Sequence, residues 1–179
     1  GSSMPTWYGG WNNTVSYKNF DLNVFFRFSG GNKIMNASRQ SALFNMDFSN
    51  NGTEILGRWV SPEQPGDGMT PKIGYGDASS LFNDGYTDSH FVESGNYLKL
   101  STLALGYTLP KAVVSKLNMT KIRFYVQGQN LLTITGYSGL DPQVRTDDGS
   151  GNSKDRNMGT DYGSYGMPRQ FILGVNVTF

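Results

Sequence analysis

The chain has 179 residues, a length suited to about one domain, and 37% of them are apolar. A net charge of +1 without any basic run argues against nucleic acid as a partner. The absence of cysteine excludes disulfide scaffolds and thiolate metal sites, and one histidine, His90, cannot form a histidine metal cluster.

Only 16% of residues are charged, against roughly 25% in ordinary soluble domains. With 23 glycines and 13% aromatic residues, the composition favours β structure with many turns. Period-two alternation then locates the strands.

The first predicted strand covers about 11–17, with Trp11, Val15 and Tyr17 on one face. The second covers about 20–30, with Phe20, Leu22, Val24, Phe26 and Phe28 aligned. Only Lys18 and Asn19 separate them, and a two-residue hairpin would pair Tyr17 with Phe20 on the same side. The two apolar faces therefore agree, and Asn19 is the residue expected to tolerate the positive φ of the turn.

A polar segment punctuated by Gly and Pro runs over about 31–95. Within it, NASRQSALFNMDF predicts a short helix capped by Asn36, and TEILGRW predicts another capped by Thr53 and ended before Pro62. Strand character returns over about 96–109, where Leu103, Leu105, Tyr107 and Leu109 share a face but Leu98 and Leu100 fall out of phase. That slip predicts either a bulge near Ser101 and Thr102 or an extension where alternation is unconstrained.

A fourth strand over about 121–134 sets Ile122, Phe124 and Val126 against Arg123, Tyr125, Gln127 and Gln129. A second long loop, about 135–168, leads to a last strand over 169–179. There Phe171, Leu173, Val175, Val177 and Phe179 share one face. Short and long connections thus alternate, as in an outer-membrane barrel. No apolar run approaches a membrane helix, and mean hydropathy is −0.43, but barrel strands of about 10 alternating residues are low in hydropathy by construction.

Catalytic chemistry has little to build on. There is no Gly-x-Ser-x-Gly elbow, and the loop carboxylates Glu54, Glu63, Asp67, Asp77 and Asp84 read as solvated acids. TDDGSGNSKD lacks the ligand spacing of a calcium loop. The chain is therefore read as a non-enzyme without a cofactor.

Four stretches, WYGGWNNTVSYKNFDLNVFF, YLKLSTLALGYTLP, IRFYVQGQNLLTITGYSGLDPQV and PRQFILGVNVTF, resemble in order the carboxy-terminal part of the SusC/RagA family of TonB-dependent outer-membrane transporters of Bacteroidetes. The resemblance implies an all-β, antiparallel transmembrane barrel of about 22 strands with long extracellular loops containing short helices. This chain would supply about the last five strands, with the plug, the TonB-contacting segment and a signal peptide upstream. It further implies as partners a SusD-like lipoprotein, TonB, the barrel assembly machinery, a glycan or peptide substrate and outer-membrane lipid. Phe179, with Phe171 in the same strand, would then be the signal read during assembly.

In such a barrel Arg27, Arg123 and Gln127, opposite the apolar rows, face the lumen, since Arg at the bilayer midplane costs about 2–4 kcal/mol. Tyr17, Phe20, Tyr107 and Phe179 would lie in the periplasmic aromatic girdle. The loop aromatics Trp59, Tyr75, Phe82, Tyr86, Tyr162 and Tyr165 are candidates for lid or substrate contacts. Two other architectures fit the alternation: a soluble carbohydrate-binding β-sandwich and a passive porin without a plug.

Overall fold

The computed structural model describes residues 1–44, 50–72, 89–143 and 158–179. Five strands form one antiparallel sheet in the order β1-β2-β5-β6-β8, comprising Trp7–Tyr17, Phe20–Gly30, Tyr97–Thr108, Lys121–Thr135 and Gln170–Thr178. Three short strands, β3 (Lys33–Asn36), β4 (Val92–Ser94) and β7 (Thr160–Asp161), form a second sheet in the order β4-β3-β7. The β3–β7 pair is parallel, so antiparallel pairing does not extend to every strand of the fold.

The hairpin register pairs Tyr17 with Phe20, Val15 with Leu22 and Trp11 with Phe26. The positive φ, 53°, falls on Lys18 and not on Asn19, so the second turn residue carries no left-handed strain here. β1 also begins four residues earlier than the alternation predicts. Gly9 and Gly10 hide that extension, because the rings of Phe28 and Phe25 lie where their side chains would be. A glycine beneath an aromatic ring on the neighbouring strand breaks the pattern in sequence while completing the packing in space.

The phase slip in β5 is a bulge. Phe26 pairs with Leu100 and Phe25 with Thr102, leaving Ser101 as the extra residue. Its effect is to return Leu98 and Leu100 to the face that carries Leu103 and Leu105. On the other side Leu100 pairs with Leu132 and Thr102 with Gln129, so β6 in turn holds one residue more than β5, taken up at Asn130 with φ 53°. Leu131 then folds back over Gly128, filling the gap left by the missing side chain.

One continuous apolar face results, running from Trp11 and Tyr17 through Phe26, Leu105 and Val126 to Leu173. It is not a core. Trp11 is 56% exposed, Phe171 76% and Leu173 82%. The fully buried side chains lie elsewhere: Ile34, Phe91 and Lys99 sit at the long-loop end, and Val114 sits in the β5–β6 connection.

The connections also differ in detail from the alternation-based reading. Asn36 does cap the first helix, α1 (Ala37–Phe44), its Oδ1 accepting from Arg39 N at 2.9 Å. The TEILG segment, Thr53–Gly57, is a 3₁₀ turn rather than an α-helix, and its cap position is Gly52 with no side-chain bond, so Thr53 is not the cap. The β5–β6 connection holds a single helical turn, α2 (Lys111–Val114), followed by a 3₁₀ turn closed at Asn118 in the left-handed conformation.

Candidate functional site

The long-loop end of the sheet is held by three polar clasps that tie the first loop, the second loop and the near end of β5 to one another. In the first, Arg39 of α1 forms a fork on Glu54, with Nε to Oε1 at 3.0 Å and Nη2 to Oε2 at 2.9 Å, and its Nη1 reaches Glu93 Oε1 at 3.3 Å. Glu93 in turn accepts from Ser138 N and Ser138 Oγ, both at 2.7 Å. Burial raises the Glu93 pKa, but the bonds from Ser138 and Asn36 and the charge of Arg39 outweigh it and hold the carboxyl below its ordinary range.

In the second clasp Tyr137 Oη donates to Asp161 Oδ2 at 2.5 Å, both residues being buried. Desolvation and the neighbouring carboxylate push the phenol pKa up, so Tyr137 remains a donor. Asp161 Oδ1 accepts from Ser164 N at 3.0 Å, and Ser38 Oγ joins α1 to the same turn by accepting from Gly163 N at 2.6 Å.

The third clasp is built on Lys99, which is 1% exposed. Its Nζ donates to Asp141 Oδ2 at 2.9 Å and to Gln143 Oε1 at 2.7 Å. Gln143 Nε2 continues to Tyr97 Oη at 3.1 Å. Burial acts to raise the Asp141 pKa, yet Lys99 and the backbone N–H groups of Gln143 and Met167 leave it lowered. A buried ammonium whose three oxygen partners come from Asp141 and Gln143 is stable only while the second loop supplies them.

Beside this clasp lies a recess of about 360 Å³, with Ser29, Asn32 and Tyr97 on the sheet side and Pro142, Gln143 and Met158 on the loop side. Its volume is within the range of small-molecule sites, which run from about 300 to 1,000 Å³. Mixed polar and apolar walls suit a ligand carrying both amide or hydroxyl groups and carbon surface.

Further down the same polar face, Arg123 of β6 reaches Asp21 of β2 across the intervening β5, with Nε to Oδ1 at 2.9 Å. The bridge passes over Gly106, whose hypothetical Cβ would lie 2.3 Å from Arg123 Nη2. Gly174 is similarly covered by the ring of Tyr125, on which the Arg123 guanidinium stacks at 5.2 Å. Two glycines thus clear a track for one arginine and one tyrosine.

Similarity to known proteins extends over the whole chain. The chain is 32% identical over 179 residues to TonB-dependent receptor P3 of Formosa agariphila, and 33% identical over 184 residues to TonB-dependent receptor P26 of that bacterium. Both matches take in the whole chain, which spans 17% of each relative's length. TonB-dependent receptor SusC of Bacteroides thetaiotaomicron is 24% identical over 181 residues, covering 92% of the chain and 14% of that receptor. Among solved structures, the RagAB peptide importer in its open-open state superimposes with a TM-score of 0.74 at 23% identity, over 98% of this chain and 17% of that one. Another structure of the RagAB peptide transporter gives 0.73 at 24% identity, over 96% and 17%.

The chain belongs with the SusC/RagA-like TonB-dependent transporters. No protein-family model matches it. The SusC/RagA-like relatives are receptors and importers, not enzymes.

Within this SusC/RagA-like sheet, Arg27, Arg123 and Gln127 share the polar face; among the described residues Arg123 is tied into an ion pair with Asp21, while Arg27 is exposed. Trp59 is partly exposed, with Lys72 Nζ 5.9 Å from its ring, and Tyr162 and Tyr165 project into solvent. None of these three lines the recess. Tyr75, Phe82 and Tyr86 lie outside the described residues. Phe171 and Phe179 are both strongly exposed on or beyond β8. Sequence reasoning missed Tyr97, Lys99, Asp141 and Gln143, although the Leu-Asp-Pro-Gln run that carries two of them was among the stretches with the family resemblance.

Proposed function

We propose that this chain forms the closing strands of a plugged outer-membrane barrel of about 22 strands. That barrel imports glycans or peptides with energy supplied through TonB and with a SusD-like surface lipoprotein as lid. One observation carries the reading. The five-stranded sheet is inside out for a soluble protein, with its aromatic and aliphatic rows exposed and its ion pair and amides on the opposite face. In a soluble sandwich those rows would be buried against a second sheet. Exposed apolar rows are stable where lipid replaces water, and strands of 9 to 15 residues are long enough to cross.

In this arrangement the polar face is the lumen wall, and the long loops with their clasps and recess are extracellular. In this reading the exposed Trp59, Tyr162 and Tyr165 contact the lid or the substrate, and Phe171 and Phe179 are read by the barrel assembly machinery. The lid can respond to substrate only if its open and closed states bind it differently.

The test is growth of the producing bacterium on single glycans or peptides after deletion of the gene, with complementation by the intact gene and by one lacking its TonB-contacting segment. Growth restored only by the intact gene supports energised import. Equal growth with both would refute it and favour a passive porin.

A further inference from the structure

The tight-turn end of the sheet has a charge distribution unlike the rest of the chain. Lys18 lies in the β1–β2 turn, Lys111 and Lys116 in the β5–β6 connection, and Lys121 at the start of β6. Backbone bonds bring these together: Thr108 N donates to Asn19 O at 2.8 Å, and Leu109 N to Ile122 O at 2.9 Å. Among the described residues, Asp21 is the only acidic side chain in the segments of this end, and it is engaged by Arg123. At the loop end, by contrast, basic and acidic side chains are interleaved and paired.

The apolar face of the strands that lead from these turns carries a groove of about 460 Å³. Phe20, Tyr107 and Phe124 form its rim nearest the turns, and Leu105, Val126 and Leu173 its far walls. The Phe20 and Tyr107 rings are 4.7 Å apart and tilted, which stiffens the rim. Lys18 Nζ stands 5.3 Å from the Tyr17 ring, above the same band. Val113 and Leu117, one helical turn apart between the lysines, are also exposed, as expected of a connection lying in a membrane interface.

We infer that this end is a binding site for an anionic phospholipid of the periplasmic leaflet, its phosphate held by Lys18, Lys111 and Lys116 and one acyl chain laid in the groove between Phe20 and Leu173. The inference rests on the barrel reading, which sets the groove in the hydrocarbon layer and the turns at its edge. The chemistry is complementary at both ends of the ligand. An acyl chain matches a groove walled by hydrocarbon, and a headgroup with net negative charge matches lysines without carboxylate partners among the described residues. A zwitterionic headgroup brings its own ammonium close to the lysines and gains less. Lys121, on the polar face near Asp21, adds to the field without being placed to touch the headgroup.

The experiment uses the full-length transporter carrying this segment, reconstituted in nanodiscs of equal phosphatidylglycerol and phosphatidylethanolamine. Retained lipid is counted by native mass spectrometry, and photo-crosslinks are mapped from a phosphatidylglycerol bearing a diazirine near its chain end. The wild type is expected to retain phosphatidylglycerol over phosphatidylethanolamine by about tenfold, with crosslinks in 97–108, 121–135 and 170–178. The K18Q/K111Q/K116Q variant is expected to lose that preference, and K33Q/K72Q, at the opposite end, to keep it. Equal retention of both lipids by the wild type, or an unchanged preference in the triple variant, would overturn the lipid site and leave the barrel intact. Failure of the wild type to insert at all would overturn the barrel reading, and this inference with it.

Discussion

Replacing Gly106 by alanine tests whether the Asp21–Arg123 bridge is an organised feature of the polar wall. The added Cβ would lie 2.3 Å from Arg123 Nη2 and 2.5 Å from both Arg123 Nε and Asp21 Oδ1, so the bridge has to move. The guanidinium is 21% and the carboxylate 29% exposed, between a solvent-exposed pair and a buried one. Its loss is therefore worth about 1–2 kcal/mol. Alanine restricts the unfolded chain relative to glycine and restores about 0.5–1 kcal/mol in a strand interior. The net expectation is a destabilisation of about 1 kcal/mol in the wild-type background. With Asp21→Asn and Arg123→Gln already in place the sign reverses, to a gain of about 0.5 kcal/mol. The assay is equilibrium urea unfolding of the full-length transporter in lipid vesicles, followed by tryptophan fluorescence and by heat-modifiable gel mobility. An equal loss in both backgrounds would mean that the alanine clashes with the strand itself, and no loss in either would mean that the bridge is not seated over Gly106.

The remaining predictions concern the loop clasps and the last strand. Asp141→Ala leaves the Lys99 ammonium buried without its carboxylate and should cost about 3 kcal/mol locally, read as new protease cleavage within 135–143; Lys99→Met with Asp141→Leu should restore resistance. Glu93 and Asp141 both have lowered pKa values in the folded state, so their contribution is complete above the unfolded carboxylate pKa of about 4 and is lost as pH falls through the lower folded value. Protection of 33–36 and 135–143 against hydrogen exchange, relative to the intrinsic rate at each pH, should therefore fall below about pH 4, and protection unchanged there would refute the clasps. Tyr137→Phe removes the donor to Asp161 and should loosen the 160–164 turn by about 1–2 kcal/mol, measured by exchange of Ser164 N–H. Phe179→Ser should lower the yield of assembled barrel in the outer membrane without changing unfolding of the barrels that do assemble; a matching loss of stability would point to packing instead.

The sequence by itself determined which residues share a face, because period-two alternation is a property of the strand backbone and does not depend on the neighbouring strand. From Tyr17 and Phe20 it also determined the register of the first hairpin, since a two-residue turn leaves one pairing that keeps both apolar rows together. What it left open depended on neighbours. Leu98 and Leu100 looked out of phase until the bulge at Ser101 joined them to the same face, and Gly9 and Gly10 looked like a break until aromatic rings were found lying over them. The β3–β7 pair joins Met35 to Thr160 and Asn36 to Asp161, too distant and too short for any local pattern. The clasps were equally hidden, because Lys99, Asp141 and Glu93 are ordinary charged residues until loops far apart in sequence bury them together. Tertiary structure decided those features because burial and hydrogen bonding are relations between segments, whereas alternation belongs to a single one.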